Sequence, residues 1–208
     1  MQHEQALGWP TKPIAGIDEA GRGSWCGPVV AAAAILPADF NIDGLADSKK
    51  LPAARRETLF VTLQAIPHGI GCASVAEIDK LNILQASFLA MQRAVYALSA
   101  RHPHMRLAHI LIDGNQLPNS SYELPCAASA LIGGDNLSPT IAAASILAKV
   151  TRDHIMVVLD SEHPGYHWAS NKGYGVKTHR EGLAKLGITP HHRKTYAPIR
   201  NILRASGV

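Results

Sequence analysis

The sequence predicts an α/β fold built on a mixed β-sheet, and three features carry that prediction. Short apolar runs bounded by glycine alternate with longer stretches whose apolar residues recur every three or four positions. Hydrophobic residues make up 47% of the 208 positions, enough for one sizeable core. The glycine turn between the first two apolar runs, ending at Gly27, is too short for a crossover helix. Those two strands must therefore pair antiparallel, which makes the sheet mixed.

The elements follow in order. Ile14 to Asp18 reads as a short strand, and Val29 to Leu36 as a buried one entered through the glycine turn. Pro52 opens a helix that continues from Ala53 to Ile66 and stops before Pro67. Ile70 to Val75 reads as a strand. Ile83, Leu84, Phe88, Met91, Val95 and Leu98 then recur at helical spacing, predicting one helix from about Ile78 to Leu98. The run HILIDG, residues 109–114, is a strand that ends in a carboxylate and a glycine, and Ala127 to Ile132 precedes the turn GGDN. Thr140 to Leu159 is helical and starts rich in alanine, so it can press close against a sheet. A short helix from Thr178 to Leu186 is stopped by Gly187 and Pro190, and the basic tail after it is expected to pack only partly.

Composition narrows the function classes. The longest apolar run, Val29 to Pro37, falls far short of the ~20 residues of a membrane span. No basic segment followed by an apolar one opens the chain, so no secretory signal is expected. Cys26, Cys72 and Cys126 are widely spaced and form no CxxC, which suits buried reduced thiols in a cytoplasmic protein. From residue 172 to 208 there are eight Lys/Arg and one acid, whereas residues 1–171 hold twelve Lys/Arg and fifteen acids. A basic region beside an acidic body suits a polyanion held by one part and worked on by carboxylates in the other; a solvated basic surface is the plainer alternative.

Four acids stand apart from the surface acids on helices. Asp18, Glu19, Asp113 and Asp135 each sit where an apolar stretch meets a glycine-bearing turn. Taken singly, Asp113 reads equally well as a turn cap and Asp135 as an ordinary turn residue. Taken together, carboxylates meeting at one sheet edge would raise one another's pKa unless cations neutralise them. Hard divalent ions such as Mg²⁺ and Mn²⁺ want an oxygen-only environment of this kind, and two of them can bridge a phosphate. The first two acids open the segment IDEAGRGSWCG, whose glycine turn can approach a phosphate with its backbone N–H groups. Cations held by the acids would remove the repulsion. Competing motifs are weaker: Gly27 comes one place late for a dinucleotide fingerprint, and GxxxxGK[ST], GxSxG and zinc-type Cys/His spacing are missing.

At these residues the chain resembles the type 2 ribonucleases H, the bacterial ribonuclease HII family. The resemblance spans GIDEAGRG with GPVV, LADSKKL, IDG, GGD, AAASILAKVTRD, NKGYG and HHRKTY, in that order along nearly the whole chain. It implies a ribonuclease H-like mixed β-sheet flanked by helices, with a small helical C-terminal region. It implies metal-dependent hydrolysis of RNA in RNA–DNA hybrids and incision 5′ to a single ribonucleotide in duplex DNA, leaving 5′-phosphate and 3′-hydroxyl ends. On this likeness Asp18, Glu19, Asp113 and Asp135 hold Mg²⁺ or Mn²⁺. Gly21, Arg22 and Gly23 read the 2′-hydroxyl together with Tyr174, and Ser145 and Lys149 lie near the substrate strand. Lys49 belongs to the DSKK motif formed with Asp47, Ser48 and Lys50, and is expected at the substrate too.

The expected organisation is a catalytic body over residues 1–171 and a basic region over 172–208, where Arg193 and Lys194 touch the duplex. His179, His191 and His192 are expected in solvent or beside phosphate. A monomer is expected, with no sliding-clamp motif evident near Val208. Trp25 and Cys26 stand in the glycine turn where the family more often has smaller or aliphatic residues, which puts the local packing in question. A non-catalytic nucleic-acid binder and a nucleotide-binding metabolic enzyme are the alternatives. Four intact acids argue against the first, and only the glycine turn and α/β pattern support the second.

Overall fold

The computed structural model describes residues 1–45 and 51–205. Five strands, β1 (Ile14–Ala20), β2 (Val29–Ala34), β3 (His68–Ala73), β4 (His109–Asp113) and β5 (Ala128–Leu131), form one sheet in the order β3-β2-β1-β4-β5. β1 runs antiparallel to β2 and parallel to β4, and β4 runs parallel to β5. The short glycine link thus imposes the pairing that its length predicts.

Small residues let helices close on both faces of the sheet. β2 is VVAAAA, buried throughout. A Cβ at Gly71 of β3 would lie 2.1 Å from the Ala90 carbonyl oxygen of α4 (Ile83–Arg101). On the other face, a Cβ at Gly16 of β1 would lie 2.2 Å from the Thr140 backbone of α6 (Pro139–Glu162). The Phe88, Met91 and Val95 side chains of α4 cover the first face; α6 and α2 (Ala53–Leu63) cover the second. Glu4, from the short α1 (Gln2–Ala6), is buried against the start of α6. Its carboxylate accepts from the Thr140 N–H at 3.2 Å and from two hydroxyls, the position where a helix N-terminus favours an anion.

Two expectations need correction. The single helix from Ile78 to Leu98 is two helices, α3 (Val75–Leu81) and α4, separated by Asn82 at φ +69°. Asn82 accepts with its side chain from the Leu84 and Gln85 N–H groups, and Ser74 and Glu77 form a capping box on α3. The apolar repeat runs across the break and hides it. The tail is also better anchored than expected. After α5 (Gly134–Leu137), α7 (Trp168–Asn171) and α8 (Lys177–Leu186), the chain ends in α9 (Ala197–Ala205), whose Ile199 is fully buried. Ile199 joins Cys26, Met156, Trp168 and Leu183 in a separate C-terminal core.

Candidate active site

Strand direction gathers the acids. β1, β4 and β5 are parallel, so their C-terminal ends lie at one edge of the sheet. β1 brings Asp18 and Glu19 there, and β4 ends at Asp113. Ile17 is in register with Ile112, which makes Asp18 and Asp113 the next neighbours along the ladder. Alternation puts Asp18 and Glu19 on opposite faces. Asp18 is buried toward α6, where Ser145 hydrogen-bonds to it, while Glu19 lines a cleft beside Ser87 and Phe88 of α4. β5 leads through Gly133 into α5, which carries the buried Asp135. The Asp113 carboxylate accepts from the Gly134 N–H at 2.7 Å and so fixes the start of α5 beside it. A Cβ at Gly134 would lie 2.5 Å from the Ile141 Cδ1, so a larger residue here would have to displace that side chain.

Electrostatics make the edge unfavourable on its own. Burial, then the Glu19 charge, and more weakly the Asp113 charge, push the Asp18 carboxyl well above its usual range, against a lowering hydrogen bond from Ser145. Arg22 offsets part of the charge by donating to Glu19 at 3.1 Å. The donor set, carboxylates from the ends of β1 and β4 and from α5 just after β5, fits a hard divalent cation that would supply the remaining positive charge. No three of these acids bring donor oxygens within 4.8 Å of one another. Among the described residues, the one group that meets that spacing is Glu162, His163 and His191, a cluster able to hold a metal ion on the far end of α6.

The expected recognition residues meet in a cleft of about 490 Å³ next to Glu19. Gly21, Arg22, Gly23, Ser145, Lys149 and Tyr174 all line it. Lys149 is also paired with Asp153 at 2.7 Å, one helical turn on. Tyr174 is 42% exposed, and its ring passes so near the turn that a Cβ at Gly23 would contact it at 3.5 Å. Lys49 and its DSKK neighbours lie outside the described residues.

The glycine turn is held from behind by two arginines. Arg152 donates to the carbonyls of Pro28, Lys172 and Cys26, and it occupies the space beside Gly21 (φ +98°), where a Cβ would meet its Nε at 1.9 Å. Arg193 donates to the carbonyls of Gly27, Pro28 and Arg22 and to the Tyr196 hydroxyl. Both guanidinium groups are buried, which lowers their pKa, to about 10 for Arg152. Arg193 was expected on the outer surface, touching substrate. Its donors are instead spent on the turn, while Lys194 is exposed. His179 and His192, expected in solvent or beside phosphate, are fully buried, and His191 is half-buried.

Trp25 explains the unusual turn. Its backbone N–H donates to the Gly173 carbonyl at 2.8 Å, and its ring lies against Gly175, where a Cβ would be 2.0 Å away. The tryptophan thereby seats the loop that presents Tyr174. Cys26 is buried beneath it, its thiol pushed up to about 12 by burial, so it serves as packing. Sequence reasoning passed over Arg152 and Arg56 of α2, both at the cleft. For Arg152 a signal existed, because it lies in the same motif that supplies Ser145 and Lys149.

A mixed sheet with acids on the parallel strand ends, flanked by helices, defines a protein of the ribonuclease H-like class. Solved structures share this architecture. The ribonuclease H2 from Pyrococcus horikoshii OT3 matches with a TM-score of 0.71 at 27% identity, covering 92% of this chain and 97% of that one. Bst-RNase HIII in complex with Mn²⁺ matches with a TM-score of 0.76 at 19% identity, covering 97% and 72%, a likeness of fold alone. The family model for Ribonuclease HII matches residues 15–199. Ribonuclease HII of Magnetococcus marinus is 51% identical over 193 residues, 92% of this chain and 88% of its own length. That of Paracoccus denitrificans is 49% identical over 201 residues, 96% and 92%. The chain belongs to the ribonuclease HII family, and it is a metal-dependent ribonuclease.

Proposed function

We propose that the acid-edged cleft cuts the RNA strand of RNA–DNA hybrids and incises 5′ to single ribonucleotides in duplex DNA. The observation that carries this reading is the adjacency of the Asp18/Glu19/Asp113 edge to a cleft lined by the glycine turn and Tyr174. In it, Asp18, Glu19, Asp113 and Asp135 would hold two Mg²⁺ or Mn²⁺ ions. Bound there, the ions would supply an activated water and stabilise the leaving 3′-oxygen.

The chain's own residues do the rest. Arg22 balances Glu19 in the free enzyme and can turn toward the substrate phosphate, leaving the carboxylate to the cation. The turn at Gly21 to Gly23 approaches the sugar closely enough for backbone groups to bind a 2′-hydroxyl, the atom that distinguishes RNA from DNA. Tyr174 offers a ring face to the neighbouring sugar. Ser145 orients Asp18, and Lys149 stands beside the scissile strand. In the same proposal residues 1–171 form the catalytic body, while exposed Lys177, Arg180, Lys194 and Arg200 of residues 172–208 meet the duplex backbone.

The experiment is a cleavage map on labelled duplexes with one ribonucleotide, with four consecutive ribonucleotides, and with none, in Mg²⁺, in Mn²⁺ and in chelator. The expected result is metal-dependent incision 5′ to the single ribonucleotide and within the tract, leaving a 3′-hydroxyl. Cutting of the all-DNA duplex, or cutting unaffected by chelator, would overturn the assignment.

A further inference from the structure

The C-terminal core gathers four imidazoles, and their hydrogen bonds divide them into two pairs. His179 and His192 are saturated. His179 Nδ1 lies 3.1 Å from the Tyr174 carbonyl oxygen and so carries the proton. Its Nε2 accepts from Trp168 Nε1 at 3.0 Å and faces His192 Nε2 at 3.1 Å. His192 Nδ1 accepts from the Thr189 N–H at 3.0 Å. Neither ring keeps a lone pair for a metal. His163 and His191 are the opposite case. They are partly exposed, with ring centroids 4.9 Å apart at 61°. Among the described residues, no hydrogen bond engages either ring or the Glu162 carboxylate, and the donor atoms of all three lie within 4.8 Å of one another.

We propose that Glu162, His163 and His191 form a second metal site, separate from the carboxylate cleft, which takes a borderline divalent transition metal of the Zn²⁺ class. Two imidazoles and one carboxylate are a zinc donor set, whereas Mg²⁺ prefers oxygen alone. Tetrahedral bonds of about 2.1 Å put donors about 3.4 Å apart. Closing from the present spacing takes a movement of roughly an ångström by side chains that have no hydrogen bond to break. Glu162 is exposed, which leaves a fourth position to water.

The site joins two segments distant in the chain. Glu162 ends α6 and His163 caps it, while His191 belongs to the segment that clasps the glycine turn. The His191 carbonyl accepts from the Gly27 N–H at 2.9 Å, and Arg193 follows two residues later. A cation here ties the end of α6 to that clasp, so its effect is on the stability of the C-terminal core.

Titration of the chelator-treated full chain with ZnCl₂ in excess MgCl₂, followed by calorimetry and thermal unfolding, tests this. One Zn²⁺ should bind per chain and raise Tm, with Mg²⁺ unable to compete. Glu162→Gln, His163→Gln and His191→Gln should each weaken binding at least about tenfold and remove the rise in Tm. Asp18→Asn should bind Zn²⁺ as the wild type does. Glu162→Gln changes only an exposed side chain, so its zinc-free unfolding should match wild type and guard against a variant that fails to fold. No stoichiometric binding in Mg²⁺, binding unchanged by all three substitutions, or binding lost in Asp18→Asn would each overturn the proposal. The readout is independent of cutting, so the assignment of the carboxylate cleft can fail without affecting it.

Discussion

Asp18 is the residue on which chemistry and stability pull in opposite directions. Its carboxyl is buried against two like charges, so its folded pKa is raised. A raised acid stabilises the fold below its unfolded value near 3.8, and that contribution is lost as pH rises through the folded value. At neutral pH without divalent cations, the charge is a liability. Asp18→Asn should therefore unfold at a higher temperature than wild type in chelator, yet cut at least ~100-fold more slowly in saturating Mg²⁺. A Tm below wild type in chelator would show that the charge is already compensated within the protein.

The two cleft glycines separate strain from recognition. Gly21 has φ +98° and no room for a methyl group, so Gly21→Ala should destabilise the protein. Gly23 meets only Tyr174, at ordinary contact distance. Gly23→Ala should keep the wild-type Tm and lose activity on a single ribonucleotide more than on a tract, because a tract offers several registers. Equal losses on both substrates would remove Gly23 from 2′-hydroxyl reading.

At the scale of elements, the arginine brace shows what sequence could and could not reveal. The strand ends were legible because an apolar run closing on a carboxylate and a glycine, as in ILIDG, has few structural explanations. The 3.6-residue period located α4 and α6 but could not see Asn82, since the apolar repeat continues through it. Arg193 looked like a surface cation because it lies in a basic run. Only the fold shows that the backbone carbonyls of a turn 165 or more positions away consume its donors. The expected result of Arg193→Ala is a loss of roughly 3–5 kcal/mol, from buried carbonyls left without donors, measured by denaturant unfolding. Lys194→Ala should leave stability unchanged and reduce the salt slope of duplex binding by about one charge. If Arg193→Ala unfolds like wild type and only binding weakens, its place is on the substrate.

For the whole molecule, the buried imidazoles set an acid limit. Burial lowers His179, and burial with the neighbouring His179 lowers His192 to about 3. The unfolded chain takes up these protons near pH 6.5, whereas the folded chain resists them. For His192, stability should thus fall as pH drops from about 6.5 toward 3, by up to about 1.4 kcal/mol per pH unit, and the lowered His179 adds to the fall in the same direction. His192→Gln should flatten that slope in urea titrations between pH 6 and 4, chosen from this window. This dependence was invisible in the sequence, where HHRK reads as basic and solvated. Its burial comes from Trp168 and Tyr166, which stack at 4.7 Å and pack against both rings.

Arg193 hydrogen-bonds to the Arg22 carbonyl across 171 positions of chain. During synthesis the ribosome releases the strands bearing Asp18 and Asp113 well before it releases Arg193. The nascent chain therefore carries both acids before the residue that braces the turn beside them has been made.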